Sequence, residues 1–196
     1  MKIFLKINQI KDMLELTEAE PRDMALFHVA FNTGLRVSDL LSLKRKNFID
    51  REGEIAKVLR VKMIKTKQII DRPLRDDCRE VIRHYLAGRQ DKNPYMFPPK
   101  QIKSRYGCNR NRPMCRMSAH RLFKKYLGEM YSPSELRGAA THTLRRSVAK
   151  IISEVSGRIE PASKFLGHRS TAPTAAYIDM DSHEEKANEI ITTIEI

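Results

Sequence analysis

A chain of 196 residues with 37 lysines and arginines against 24 acids carries a formal net charge of +13. That length suits one ordinary domain able to bury roughly 70% of its unfolded surface. No apolar run approaches the ~18 residues of a membrane span, and the opening MKIFLKINQIKDMLEL lacks the apolar centre of a signal peptide. Membrane-spanning and secreted classes are thereby set aside, and a soluble cytoplasmic protein is expected. The charge is unevenly placed: residues 178–196 carry a net −5, which leaves +18 on the preceding 177. Such a body calls for a polyanionic partner, and nucleic acid fits better than a membrane surface because no basic amphipathic helix stands apart. Three cysteines, Cys78, Cys108 and Cys115, form no pattern with zinc-ligand spacing, so reduced thiols are expected.

In chain order, Ile7, Ile10, Met13, Leu14 and Leu16 fall at helical spacing over residues 5–16. Thr17 to Glu20 has the form of a capping box and Pro21 suits a first helical turn. The next helix, PRDMALFHVAFNTG, has apolar Met24, Phe27, Val29 and Phe31, and Gly34 to stop it. Arg36 emerges at that stop. A short helix follows, with Ser38 as its expected cap and Leu40, Leu41 and Leu43 facing inward. From Ile55 to Leu74 the period shortens. Two or three antiparallel strands are predicted, with a hairpin carrying Lys65 and Lys67 near its tip.

Arg75 to Ala87 reads as a helix capped by Asp76 and ended by Gly88. From Pro99 to Gly128 there is no acid, and Lys100, Lys103, Arg105, Arg110, Arg112, Arg116, Arg121, Lys124 and Lys125 give nine cations interleaved with Tyr106 and Tyr126. Contact with a phosphate backbone is expected there, the second half forming a basic helix capped by Ser118. Thr141 caps a further helix that runs through Ser153 to Gly157, with His142 and Arg145 in its first turns, where the dipole and free amides favour an anion. Pro161 opens a short helix ending near Gly167, which leaves His168 at its exit. Ser170 to Pro173 opens another with Tyr177 about one turn inside.

The segments TGLRVSDLLSL, KTK, THTLRRSVA and FLGHRSTAPTAAYI resemble the boxes of the tyrosine recombinases, the phage-integrase family of site-specific DNA recombinases. His168 follows Arg145 by 23 residues and Tyr177 follows His168 by nine, as in that family. The resemblance covers residues 17 to 180 and implies an α+β fold, mainly helical with a small antiparallel sheet or hairpin. It makes Arg36 and Arg145 the arginines that hold the scissile phosphate, and Tyr177 the nucleophile. It makes His142 the proton acceptor, His168 a phosphate-orienting group, and Lys65 the general acid for the departing 5′ oxygen. Lys67 and Lys62 lie close enough to Lys65 to leave that last role open. Arg146 stands where many relatives have a histidine, one more cation for DNA.

The resemblance further implies double-stranded DNA as partner, a 3′-phosphotyrosyl intermediate, no metal or other cofactor, and a reaction akin to that of type IB topoisomerases. The physics agrees for the arginines, because guanidinium forks bind phosphoryl oxygens in pairs and never lose their charge. Residues 1–182 are expected to form the catalytic domain without the N-terminal clamp domain of longer members. The chain would be the catalytic half of a longer protein or a minimal recombinase. The acidic segment 183–196, with apolar Ile190, Ile191, Ile194 and Ile196, is expected to contact a neighbouring subunit in a tetramer on DNA, or to pack in cis. The rival class is a catalytically silent DNA-binding regulator with the same fold.

Overall fold

In a computed structural model, described for residues 4–100, 111–168 and 170–175, the chain divides into two compact units, Met1–Ser147 and Val148–Ile196. Tyr177, Lys103, Arg105, Arg110, Cys108, Tyr106 and the segment 183–196 lie outside the described residues. The first unit contains helices α1 (Ile7–Glu15), α2 (Pro21–Thr33) and α3 (Val37–Ser42). Strands β1 (Val58–Lys62) and β2 (Ile69–Pro73) follow, then α4 (Asp76–Ala87) and α5 (Arg116–Met130). Helix α6 (His142–Ser156) begins in the first unit and continues into the second, where α7 (Ile159–Leu166) and α8 (Ala172–Ala175) follow.

Helix α2 is the axis of the first unit. From Ala25 to Phe31 every residue is buried, the signature of a helix packed on all sides rather than along one stripe. It meets α1, α3 and α4, and Phe27 stands edge-on to Tyr126 of α5 with ring centroids 5.5 Å apart. Leu40, Leu41, Phe48, Leu59, Met63, Ile82, Phe97, Phe123 and Leu127 extend this core. The mixed fold class is as expected, mainly helical with one small sheet among the described residues. Of the two or three strands foreseen, two form.

They pair antiparallel with Leu59 opposite Arg72 and Lys62 opposite Ile69. Leu59 and Val61 turn inward while Val58, Arg60 and Lys62 face out, the alternation that a half-buried strand requires. At the tip, Met63 and Lys67 close the turn by two backbone hydrogen bonds, Met63 N–H to Gln68 O and Lys67 N–H to Met63 O. Lys67 is left at a positive φ of 59°.

Several expected helix caps are replaced by others. Thr17 donates its hydroxyl back to Leu14 O at the end of α1 (2.6 Å), so it caps nothing in α2, which starts on Pro21 behind Glu20. Arg36, not Ser38, is the N-cap of α3, and Arg75 rather than Asp76 precedes α4. In α5 the N-cap is Cys115, whose sulfur accepts the Ser118 N–H at 3.4 Å. Helix α7 starts two residues before Pro161.

The second unit is small. Ala149, Ala162 and Leu166 are its buried centre, with Ile152, Ile159 and Phe165 partly buried around them. Among the described residues, no helix is long and apolar enough to cross a membrane.

Candidate active site

The turn after α2 gathers the site of the first unit. Gly34 takes the left-handed conformation (φ 58°, ψ 22°) that closes the helix, and its N–H returns to Ala30 O. Its carbonyl then accepts a 2.6 Å hydrogen bond from Arg145 Nη1, a partner 111 residues away. One residue earlier, Thr33 O accepts from Arg72 Nε at 3.2 Å. Carbonyls at a helix C-terminus carry the negative end of the dipole, so two guanidiniums converge where the chain offers them acceptors. Arg36 follows two residues later as the N-cap of α3. Its Nη1 is buried with no hydrogen-bond partner among the described residues.

Helix α6 supplies the remaining cations. Arg145 is 3% exposed, Arg146 is half-buried and His142 sits exposed in the first turn. The three arginines lie close enough to His142 to act on its titration. Partial desolvation first, then Arg146, Arg145 and Arg36, push its pKa below the ordinary histidine value. Its neutral form, a proton acceptor, is therefore favoured near pH 7. Ser147, fully buried on the same helix, accepts the Leu5 N–H (2.8 Å) and donates to Thr143 O (2.9 Å). The N-terminal segment thereby pins the helix that carries the arginines.

Sequence reasoning missed Asp39. It lies three residues after Arg36 and is 1% exposed, and its Oδ1 accepts the Ile64 N–H at 2.8 Å. Lys65 is the next residue, exposed at the hairpin tip together with Lys67. A buried carboxylate thus ties the tip to the helix that Arg36 begins. The signal was present as an acid among the leucines of VSDLLS, where a purely structural short helix would place a further apolar or an exposed polar group.

In the second unit His168 follows a helix stop with two characteristic bonds. Gly167 is left-handed (φ 68°), its N–H meets Lys164 O, and the His168 N–H meets Ser163 O, the double closure of a Schellman motif. The ring is then set by Thr174, whose Oγ1 is 2.7 Å from Nδ1. Ser163 Oγ donates to Ser170 O at 2.8 Å. Thr174 and Ser163 are further positioning residues that no spacing rule singled out.

The basic stretch is only partly as expected. Arg112, Arg116, Arg121 and Lys124 are exposed, the last three on α5. Lys100, by contrast, is paired with Glu20 at 2.8 Å, so its charge is compensated. Tyr126 does not face outward with the cations around it. It is a core residue whose hydroxyl donates to the buried Asp23 (3.2 Å), and burial followed by Asp23 raises its pKa. Arg146 lies on α6 next to Arg145.

Residues 4–184 match the family model described as "Phage integrase family". Among curated proteins, the chain is 26% identical over 182 residues to "Probable integrase/recombinase YoeC" of Bacillus subtilis (strain 168), covering 93% of this chain and 90% of that one. It spans 59% and 54% of the length of two other curated relatives, both tyrosine recombinases. Among solved structures, the XerA recombinase matches with a TM-score of 0.75 at 20% identity, over 100% of this chain and 67% of that one. XerH site-specific recombinase in a post-cleavage complex with palindromic difH substrate matches with a TM-score of 0.72 at 18% identity, over 96% and 52%. The chain belongs to the phage integrase family, the tyrosine recombinases.

Proposed function

We propose that the chain is a site-specific DNA recombinase or integrase that cleaves and rejoins strands through Tyr177. The observation that carries this reading is the convergence of Arg36, Arg145 and Arg146 on His142. Three permanent cations around one histidine held toward its neutral form fit a reaction that creates negative charge on phosphorus and needs a proton acceptor. A site built only to grip DNA has no use for the second feature.

In the proposed reaction the Tyr177 hydroxyl oxygen attacks the scissile phosphorus. Its proton passes to His142, since a phenol with a pKa of about 10 attacks poorly while protonated. The bond from phosphorus to the 5′ oxygen breaks, and Lys65 gives that oxygen its proton. Arg36 and Arg145 hold the two non-bridging oxygens, and His168, with its ring set by Thr174, supports the same phosphate. A 5′-hydroxyl of a partner strand later displaces Tyr177 by the reverse steps. Lys67, Arg112, Arg116, Arg121, Lys124 and Arg146 supply backbone contacts to double-stranded DNA, joined by Lys103, Arg105 and Arg110. Residues 1–182 act as the catalytic domain, and the acidic segment 183–196 joins neighbouring subunits on DNA.

The deciding experiment uses nicked duplexes with randomised flanks. A denaturant-resistant protein–DNA adduct that disappears in Tyr177→Phe supports the enzyme; demonstrated binding with no adduct from any duplex favours a silent DNA-binding regulator. Deleting 183–196 should weaken assembly on DNA or deregulate cleavage, checked by sedimentation of the complexes. Unchanged assembly and unchanged cleavage would remove that role.

A further inference from the structure

Strand β2 carries a charge where its pattern calls for an apolar residue. Arg72 pairs with the fully buried Leu59 and is 7% exposed. Burying a guanidinium costs free energy that an apolar side chain would not, and desolvation lowers its pKa accordingly. Stability alone does not account for an arginine at this place. Its hydrogen bonds do: Nε reaches Thr33 O (3.2 Å) and Nη1 reaches Asp71 O (2.9 Å).

The neighbouring contacts make this a mount with two points. At the root of the hairpin, Asn32 donates to Pro73 O (2.7 Å) and accepts from Arg75 N–H (3.0 Å), beside the Arg72–Thr33 bond. At the tip, Ile64 N–H is held by Asp39. Residues 32 and 33 precede Arg36 in the chain and Asp39 follows it. The hairpin is therefore fastened on both sides of the same arginine.

From this we infer that Arg72 is a positioning residue, which keys the hairpin to the Arg36 turn and so sets where Lys65 presents its proton. The inference rests on the recombinase reading above. It separates the hairpin from the arginines chemically, because Arg72 acts through a general acid and Arg145, on the adjacent Gly34 carbonyl, acts on the phosphate.

The test compares two leaving groups in the full chain. A nicked duplex recovered as adduct with the unmodified protein is resynthesised with sulfur in place of the bridging 5′ oxygen. A thiol, with a pKa of about 8.5, departs as the anion without a proton donor. R72M is expected to slow single-turnover cleavage of the oxygen substrate about tenfold to a hundredfold, to leave the sulfur substrate within about threefold, and to unfold at an unchanged or higher temperature. Lys65→Ala should show the same selectivity more strongly. Without DNA, amide exchange at Ile64 and Lys67 should quicken about tenfold in R72M and in R72K while α4 is unaffected.

Equal slowing of both substrates, no slowing of either, or an R72M chain that does not fold would each overturn the inference. If no nicked duplex is recovered as adduct with the unmodified protein, the recombinase reading itself is rejected, a distinct result.

Discussion

His168 in the second unit is held by groups within eleven residues of one another. The helix stop at Gly167, the Ser163–Ser170 bond and the Thr174 hydroxyl all belong to one short run of chain. Arg145 in the first unit is held by Gly34 across 111 residues, Ser147 by Leu5 across 142, and the hairpin by Asp39 across 25. Local fixation orders few residues for each bond, and its loop-closure entropy is small. Long-range fixation makes the arginine cluster conditional on the whole fold of the first unit. The arginine cluster should therefore be the part of the protein most sensitive to folding defects, and the histidine turn the part most tolerant of them.

The largest effect should come from Arg145→Ala. It removes a proposed phosphate ligand and leaves the Gly34 carbonyl without the donor that now reaches it. Single-turnover adduct formation should fall by about 10²–10³-fold, the usual cost of losing one preorganised donor to the reacting oxygens. A loss under tenfold would break the ranking of the two regions. Next in size, Asp39→Ala should lower stability by about 1–3 kcal/mol in urea titration, because the Ile64 N–H loses its acceptor. Asp39→Asn keeps an acceptor oxygen and should lose less than half as much.

The same contrast decides what was legible beforehand. Helices α2, α4, α5, α6 and α7 and the hairpin follow from periodicity and from Gly34, Gly88 and Gly167, all local signals. The alignment of TGLR, KTK, HxxR and LGH with family boxes marks Arg36, Lys65, His142, Arg145 and His168, and residues 4–184 bear out that membership. What could not be read was which groups hold these residues. Gly34 O, Thr33 O and Leu5 N–H are backbone atoms with no identity in sequence, and Tyr126 among its cations looks like a nucleic-acid contact until its ring is found against Phe27. Caps failed for the same reason, since Thr17 had a nearer acceptor in Leu14 O.

Thr174→Val probes the tolerant region. The hydroxyl lost is buried and bonded to His168 Nδ1, so stability should fall by about 1 kcal/mol. The ring nitrogens of His168 should shift in ¹⁵N spectra, with cleavage reduced far less than in Arg145→Ala. A loss as large as that of Arg145→Ala would show that the histidine turn is no less critical than the arginines.

The smallest effect is electrostatic and concerns pH. His28, buried on α2, has its pKa lowered by burial first, with Arg75 adding to the shift and Asp77 opposing it; His142 is lowered by desolvation and its three arginines. In both cases the folded chain binds fewer protons than the unfolded chain below the ordinary histidine value of about 6.5. Stability should therefore be flat above that pH and decline as pH falls through 6.5 toward the lowered folded values. Arg146→Gln should raise the His142 titration midpoint seen by NMR, and leave that of His28, whose neighbours are Asp77 and Arg75, in place. Movement of both midpoints together would mean that the charge of Arg146 reaches beyond the cluster on α6, and that the first unit's cations act as one field rather than as a local site.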